Sequence, residues 1–274
     1  MKPTTAYTTL VLAADRGPGD PVARHTHAPC KALAPIAGQP MLMRVLDALT
    51  ASPWIGSIVL SGPPQSVLDQ APELTRLIAA QTCQWLPNQA SPCQSVAAAL
   101  TQLPGQQPVF VTTADHALLS PAMIDAFLSQ AAHNPADVAV GLVDYQHIQS
   151  AFPDAKRTVL RFRDAGYCGC NLFAFHNLEA ASKVVALWQQ AEQLRKQPLK
   201  LAWRILGPGL LLRYALRQLT LAAALDSLAQ RLSVTIKPVY LHDPLAAVDV
   251  DKVADLELVE ALLAADAGPR SRSA

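Results

Sequence analysis

The chain has 274 residues, of which 51% are hydrophobic and 16% are charged. This composition is sufficient for a folded core and excludes a disordered or fibrous protein. The formal net charge of +1 argues against a surface built for nucleic acid, so we expect no nucleic-acid partner.

Charge is unevenly distributed along the chain. The segment from Lys156 to Gln218 contains eleven basic and three acidic residues, a net charge of +8, which leaves −7 for the remainder.

The five cysteines include no CxxC pair, and the first residues lack a basic stretch leading into an apolar one. Both features favour a cytoplasmic location. No uninterrupted apolar run approaches the roughly 20 residues of a membrane span.

The order of predicted elements is typical of an α/β protein with a parallel sheet. Strands are predicted at 8–14, 58–60, 109–113, 137–143, 158–162, 171–175 and 236–241. Helices are predicted at 41–51, at 120–132 behind the capping pair Ser120-Pro121, throughout 179–232 with a break at 206–209, and at 251–265. We therefore predict one domain over 1–266 with a helical insertion at about 179–232, followed by a disordered tail at 267–274.

Three sites in this pattern have residues suited to phosphate or metal chemistry. The small-residue loop after the first strand, followed by Lys31, can offer backbone N–H groups and a positive charge to phosphates, or can be an ordinary loop with a surface lysine. Asp115 follows the strand 109–113, where a carboxylate can hold a divalent cation or cap a turn. Asp249 and Asp251 precede the last helix, and Asp251 can alternatively be its cap.

Together these segments resemble a known family. LVLAADRGPG…PCKALAPIAGQPMLMRVLDAL is similar to the opening of nucleotidyltransferases with a GT-A-type fold, whose hallmarks are LAAGxGxRM, PKxL and a G-x-P-(M/L) helix start. VFVTTADHALLSPAMI and AVDVDKVADLELVEALL are similar to that family's metal-binding strand end and its C-terminal D-I-D-T-P-E-D-L helix. The molybdenum-cofactor nucleotidyltransferase-like proteins are the most similar group. The resemblance implies a three-layer, Rossmann-like, mostly parallel sheet.

The resemblance also implies roles for individual residues. Arg16 and Lys31 would be catalytic, and Mg²⁺ would be held by Asp115 and Asp251, with Asp249 as a further candidate ligand. An acceptor would contact Arg161 and Arg163, expected on one face of a strand, and Asn171, which can alternatively be a buried strand residue. Nucleotide contacts are implied for Leu12, Ala13, Ala14, Asp15, Gly17, Ser91 and Ser95, although Ser95 can equally be an ordinary helix residue.

The implied reaction transfers an NMP from an NTP, with CTP or GTP favoured, to a phosphorylated small-molecule or lipid-like acceptor, releasing pyrophosphate. A phosphate oxygen is already ionised at neutral pH, so no general base is required, and we interpret His116 as a loop residue. Charge neutralisation and positioning suffice for such chemistry.

Two other functions stay open. Asp15 replaces a usual glycine and Cys30 replaces the PKxL proline, which leaves room for a catalytically inactive nucleotide-binding module. A GT-A-type glycosyltransferase is the other alternative, although its D-x-D motif usually follows a strand near the middle of the chain. Here the only D-x-D lies at 249–251.

The helical insertion has an amphipathic character of its own. Its leucines recur at helical spacing with Arg204, Arg213 and Arg217 between them. Such a surface can make peripheral contact with an anionic membrane or with a lipid-like acceptor, and it can also be a helical lobe or a dimer contact.

Overall fold

The computed structural model describes residues 6–13, 19–103, 107–153, 157–194 and 197–267, without the side chains of 198–202, 205–206 and 266–267. The strands are β1 Tyr7–Leu12, β2 Pro35–Ile36, β3 Gln39–Pro40, β4 Ile55–Ser61, β5 Gln84–Leu86, β6 Val109–Thr113, β7 Val138–Asp144, β8 Leu160–Arg161, β9 Gly166–Phe175 and β10 Ile236–Leu241. The helices are α1 Pro21–Thr26, α2 Met41–Ala51, α3 Gln65–Leu68, α4 Pro72–Ala79, α5 Pro92–Leu100, α6 Pro121–His133, α7 Tyr145–Ala151, α8 Leu178–Leu194, α9 Pro198–Ala215, α10 Leu221–Leu232 and α11 Val253–Ala267.

A central sheet of eight strands organises the fold. Its order is β10-β7-β9-β6-β1-β4-β5, with β8 paired to β9. The pairs β1–β4, β1–β6, β4–β5 and β7–β10 are parallel, whereas β9 runs antiparallel to its neighbours β6, β7 and β8. The predicted mostly parallel α/β sheet is therefore confirmed.

Helices cover both faces of the sheet, because successive strand residues point to opposite sides. Leu10 and Leu12 of β1 lie in a buried cluster with residues of α5 and α8. Val11, between them in sequence, belongs to a second cluster that includes residues of α2 and α6. The helix–sheet–helix arrangement gives the three layers that the sequence predicts.

Most predicted elements coincide with observed ones. The bounds of α2, β6 and β10 match the prediction exactly, and Ser120 caps α6 by accepting a hydrogen bond from the Met123 N–H at 3.2 Å. The strand predicted at 158–162 is wrong in length, since β8 contains only Leu160 and Arg161. Arg163 lies beyond it in a bend, so the two arginines do not share a strand face.

The helical insertion consists of α8, α9 and α10 between β9 and β10. The predicted break is present, because Gly207 adopts φ 73° and ψ 170° within α9. Among the described residues, no helix combines the length and apolar character needed to cross a bilayer. Ala267 still belongs to α11, and the rest of the predicted tail lies outside the described residues.

Candidate active site

A cleft of about 1090 Å³ opens at the carboxyl ends of the central parallel strands. Parallel strands end at the same edge of a sheet, so side chains that follow different strands meet there. The cleft brings together these residues from the sequence-based prediction: Leu12, Ala13, Lys31, Ser91, Asp115, Asn171 and Asp251.

Backbone hydrogen bonds join the segments that carry the acidic residues. The Ala114 N–H donates to the Leu12 carbonyl at 2.9 Å, which ties the end of β6 to the end of β1. The Val250 N–H donates to the Asp115 carbonyl at 3.0 Å. The segment before α11 therefore extends the edge of the sheet and places Asp251 beside Asp115.

Lys31 lies between these two carboxylates. Its Nζ is 2.7 Å from Asp115 Oδ2 and 2.9 Å from Asp251 Oδ1, and the residue is only 5% exposed. Burial lowers the pKa of Lys31, but the charges and hydrogen bonds of Asp115 and Asp251 outweigh it and raise the pKa above its usual value. The ammonium is charged and buried, which excludes the alternative of a surface lysine.

The two carboxylates have the chemistry of a magnesium site. Asp115 Oδ1 is buried and has no hydrogen-bond partner among the described residues, so Asp115 does not cap a turn. The Asp251 side chain is half exposed. No cluster of three or more metal-ligating side chains occurs in the part of the chain that is described. Mg²⁺ is commonly held by one or two carboxylates together with waters and substrate phosphates, so this pair fits the ion.

Arg157 contacts two other carboxylates of the same acidic segment. Its Nη1 donates to Asp249 Oδ1 at 2.8 Å and to the Asp249 carbonyl at 3.2 Å, and its Nη2 lies 3.5 Å from Asp255 Oδ1. Asp255 Oδ2 accepts the N–H groups of Asp251 and Lys252, both at 3.1 Å. Asp255, in the first turn of α11, thus fixes the backbone of Asp251, whose own carboxylate is bound by Lys31.

Asp249 has an unusual electrostatic environment. Burial, followed by the negative charges of Asp115 and Asp251, raises its pKa, and Arg157 opposes that rise. Asn171 Nδ2 donates to Asp249 Oδ2 at 3.4 Å, a long hydrogen bond. Asn171 has φ 53° beside a register irregularity between β7 and β9, a bulge geometry that turns its side chain toward the cleft.

The part of the cleft lined by Ala13 depends on a close backbone contact. Gly62 has φ +83°, and a Cβ at this position would lie 2.7 Å from the Ala13 carbonyl oxygen. Only glycine combines this conformation with this approach. The Ala13 N–H also donates to the Ser61 carbonyl at 2.9 Å. The end of β4 therefore fixes the backbone of Ala13, which lines the cleft.

The two serine candidates lie in different environments. Ser91 lines the cleft and caps α5, accepting a hydrogen bond from the Gln94 N–H at 3.4 Å. Ser95 is 2% exposed and does not line the cleft. Its Oγ accepts a hydrogen bond from the Gln89 N–H at 2.9 Å, which positions the preceding loop.

The two predicted acceptor-binding arginines are not brought into the cleft. Arg161 and Arg163 are exposed and do not line it, and the guanidinium of Arg161 lies 5.5 Å from the centre of the Tyr145 ring. The positions Ala14, Asp15, Arg16 and Gly17 lie outside the described residues.

His116 is unsuited to proton transfer in the cleft. It is 1% exposed, does not line the cleft, and burial lowers its pKa to about 4. It is therefore neutral at neutral pH. This agrees with its interpretation as a loop residue.

A buried residue behind the cleft and a group of residues in the cleft wall were missed from the sequence. Arg157 counted only toward the basic excess, and nothing in its local sequence indicates burial beside Asp249. Trp188 and Glu192 of α8 line the cleft, although no role in the site was predicted for them from the sequence. Leucine spacing predicts helices, but not the neighbour against which a helix packs.

Comparison with known proteins agrees with this geometry. The sequence profile of the MobA-like NTP transferase domain matches residues 9–236. A hypothetical transferase from Thermus thermophilus has 28% identity and a TM-score of 0.74, and the match covers 92% of this chain and 100% of that chain. A search of curated proteins finds no match.

Two more distant solved structures share the fold. A CMP:2-keto-3-deoxy-manno-octonic acid synthetase complexed with CTP has 15% identity and a TM-score of 0.55, covering 95% of this chain and all 100% of that chain. A 4-diphosphocytidyl-2C-methyl-D-erythritol synthase from Anaerococcus prevotii has 10% identity and a TM-score of 0.55, and the match covers 94% of this chain and 99% of that chain. With the profile match spanning most of its length, the chain belongs to the MobA-like NTP transferase family.

Proposed function

We propose that the protein transfers an NMP from an NTP to a phosphorylated acceptor in an Mg²⁺-dependent reaction. The observation that carries the proposal is the position of Lys31 between Asp115 and Asp251 within the cleft. The site combines a fixed cation with two carboxylates suited to a divalent metal, as phosphoryl transfer requires. The similar synthetase solved with CTP supports an NTP as the donor.

The reaction needs little proton chemistry from the protein. An ionised phosphate oxygen of the acceptor attacks the α-phosphorus, and a new P–O bond forms. The bond from the α-phosphorus to the oxygen bridging the α- and β-phosphates breaks, and its electron pair leaves with pyrophosphate. Lys31 supplies positive charge to the phosphates, and Mg²⁺ held by Asp115 and Asp251 would add to this neutralisation.

The acceptor subsite is proposed at the β9 side of the cleft. Asn171 of β9 lines it and donates to Asp249. Arg161 and Arg163 would act only on parts of the acceptor that extend beyond the cleft, because both are exposed outside it.

A surface of the helical insertion supports an acceptor with an apolar part. Trp203, Leu212 and Leu216 are 59%, 61% and 57% exposed. Arg204, Arg213 and Arg217 next to them in sequence are exposed as well. Exposed apolar side chains with flanking cations are complementary to an anionic bilayer. We therefore include peripheral contact with an anionic membrane in the proposal.

The function is tested by measuring pyrophosphate release. The protein is mixed with Mg²⁺, each of CTP, GTP, ATP and UTP, and a panel of phosphorylated sugars, alcohols and lipids. Release that requires both an NTP and an acceptor, and that is abolished by Asp115→Asn but not by the exposed control Asp69→Asn, is expected. NTP binding without release would support the inactive module. Release of a free nucleoside diphosphate from a nucleotide sugar would support the glycosyltransferase.

A further inference from the structure

Helix α8 of the insertion forms one wall of the cleft. Its last two turns pack beside the beginning of α5, and Trp188, Gln189, Glu192 and Gln193 line the same cleft as Lys31. The beginning of α5 and the ends of the central strands line the rest of the cleft. Helix α8 therefore contributes side chains to the same site as Lys31 and Asp115.

Glu192 is held in a fixed position in this wall. Its Oε2 accepts a hydrogen bond from the Cys93 thiol at 2.8 Å, and its Oε1 accepts the Cys93 N–H at 3.4 Å. Cys93 Sγ also lies 3.1 Å from Ser91 Oγ. The carboxylate is thereby placed beside Ser91, on the side of the cleft where the family resemblance expects the base.

Glu192 has no ion-pair partner among the lysine and arginine side chains that the structure describes. A carboxylate has about four acceptor sites, and two are used by Cys93. Placed in a cleft for a polyanionic nucleotide, such a group is unfavourable unless the ligand presents hydrogen-bond donors to it. In an NTP, the donors are the ribose hydroxyls and the N–H groups of the base, and the base is the part expected beside Ser91.

We propose that Glu192 is a specificity-determining residue that selects guanine as the base of the NTP. Guanine presents two adjacent donors on its Watson–Crick edge, N1–H and N2–H₂, which match the two oxygens of a carboxylate. Cytosine and adenine present one amino group beside a ring-nitrogen acceptor, and uracil presents one N–H between two carbonyls. The proposal rests on the proposed function, because it requires the cleft to bind an NTP.

Aromatic side chains of the same wall suit a flat base. The rings of Phe173 and Trp188 both line the cleft, with centroids 6.3 Å apart and planes inclined by 29°. Proteins that recognise a base by its Watson–Crick edge commonly stack it on such side chains. Glu192 lies one helical turn from Trp188, so the stacking surface and the hydrogen-bond acceptor are on the same face of α8.

The test compares nucleotide dissociation constants by isothermal titration with GTP, ITP and CTP. ITP lacks only the 2-amino group of guanine. We expect the unaltered protein to prefer GTP over both, and Glu192→Gln to weaken GTP binding by about tenfold or more while CTP binding changes little. Glu179→Gln, the same change on an exposed position of α8, should leave the preference intact.

The outcomes separate this inference from the proposed function. An unchanged ratio of GTP to CTP affinity in Glu192→Gln, or equal binding of GTP and ITP by the unaltered protein, overturns the role of Glu192 while leaving nucleotide transfer standing. Failure of every NTP to bind overturns both. Thermal unfolding of each variant verifies that the fold is retained, as expected for an isosteric change at a half-buried position.

Discussion

The ammonium of Lys31 donates a hydrogen bond to Asp115 Oδ2 at 2.7 Å, although the two residues are 84 positions apart in the chain. Asp251 shares the same ammonium. One buried cation therefore holds together two carboxylates that would otherwise repel each other, and this pairing is central to both the stability and the chemistry of the site.

Lys31→Met should therefore destabilise the fold and abolish turnover. Removing one partner from a buried ion pair leaves uncompensated charges, which costs about 3 kcal/mol. Lys183→Met is the matched control, because Lys183 forms an exposed pair with Glu179 that contributes less than about 0.5 kcal/mol. Urea unfolding measures both costs. Equal costs for the two variants would contradict the structural role of Lys31.

Arg157→Gln should weaken metal binding and turnover, although Arg157 does not line the cleft. The change removes the cation that holds Asp249 and Asp255, and Asp255 in turn fixes the backbone of Asp251. Without Arg157 the pKa of Asp249 should rise further, so activity should be lost at a higher pH on the acid side of its profile.

This prediction is checked by Mn²⁺ binding, followed by electron paramagnetic resonance, and by pH–rate profiles. Arg76→Gln, on the exposed face of α4, is the control and should change neither. An Arg157→Gln protein with unaltered Mn²⁺ affinity and an unshifted acid limb would show that Arg157 has only a structural role.

Gly62→Ala should disturb the Ala13 backbone and weaken NTP binding. The added Cβ would meet the Ala13 carbonyl and would also require a positive φ, for a cost of about 3 kcal/mol. Gly38→Ala separates the two effects, because Gly38 has φ +80° with nothing within 4 Å of the added atom. It should cost about 1 kcal/mol and leave binding intact. Denaturant titration and nucleotide titration are the measurements, and equal effects of the two changes would exclude the close contact.

His116→Gln should reduce the loss of stability in acid while retaining turnover at neutral pH. Burial lowers the pKa of His116 in the folded state from its ordinary value of 6.5 to about 4, so the unfolded chain binds more protons between these values. Stability attributable to His116 is present above about pH 6.5 and lost as the pH falls toward 4, by about 3 kcal/mol at most.

The measurement is the free energy of unfolding in urea at pH 4.5 and 7, with His133→Gln at an exposed position as the control. The difference in the free energy of unfolding between pH 4.5 and pH 7 should be smaller in His116→Gln than in the unaltered protein. It should stay unchanged in His133→Gln. A loss of turnover at pH 7 in a folded His116→Gln protein would contradict its assignment as a non-catalytic residue.

Changing Arg204, Arg213 and Arg217 to glutamate should abolish sedimentation with anionic liposomes. Each basic residue near an anionic surface contributes about 1 kcal/mol, and the reversed charges would be repelled. Neutral liposomes, and a variant with Arg24, Arg44 and Arg76 changed instead, are the controls. Absence of binding by the unaltered protein at low salt would overturn the membrane contact.

The sequence by itself determined the elements that have strong local signals. α2 begins directly after Pro40, and α6 begins at the proline of the Ser120-Pro121 pair. β6 and β10 are runs rich in apolar and β-branched residues. The bounds of these four elements could therefore be predicted closely. The resemblance of three motifs to those of nucleotidyltransferases also implied that Lys31 and Asp115 would share a site with Asp251. The element bounds needed only local propensity, whereas the shared site followed from the resemblance.

Only the tertiary structure decided how distant segments meet within a few ångströms. It placed Lys31 between the two proposed metal ligands and Arg157 beneath Asp249. In the folded chain, Ser95 does not line the cleft, and Glu192 of α8 lies beside Cys93. Such contacts depend on helix packing and side-chain burial summed over the whole fold. Residue type and spacing along one segment do not contain that information, so the sequence indicated the kind of site while packing determined its geometry.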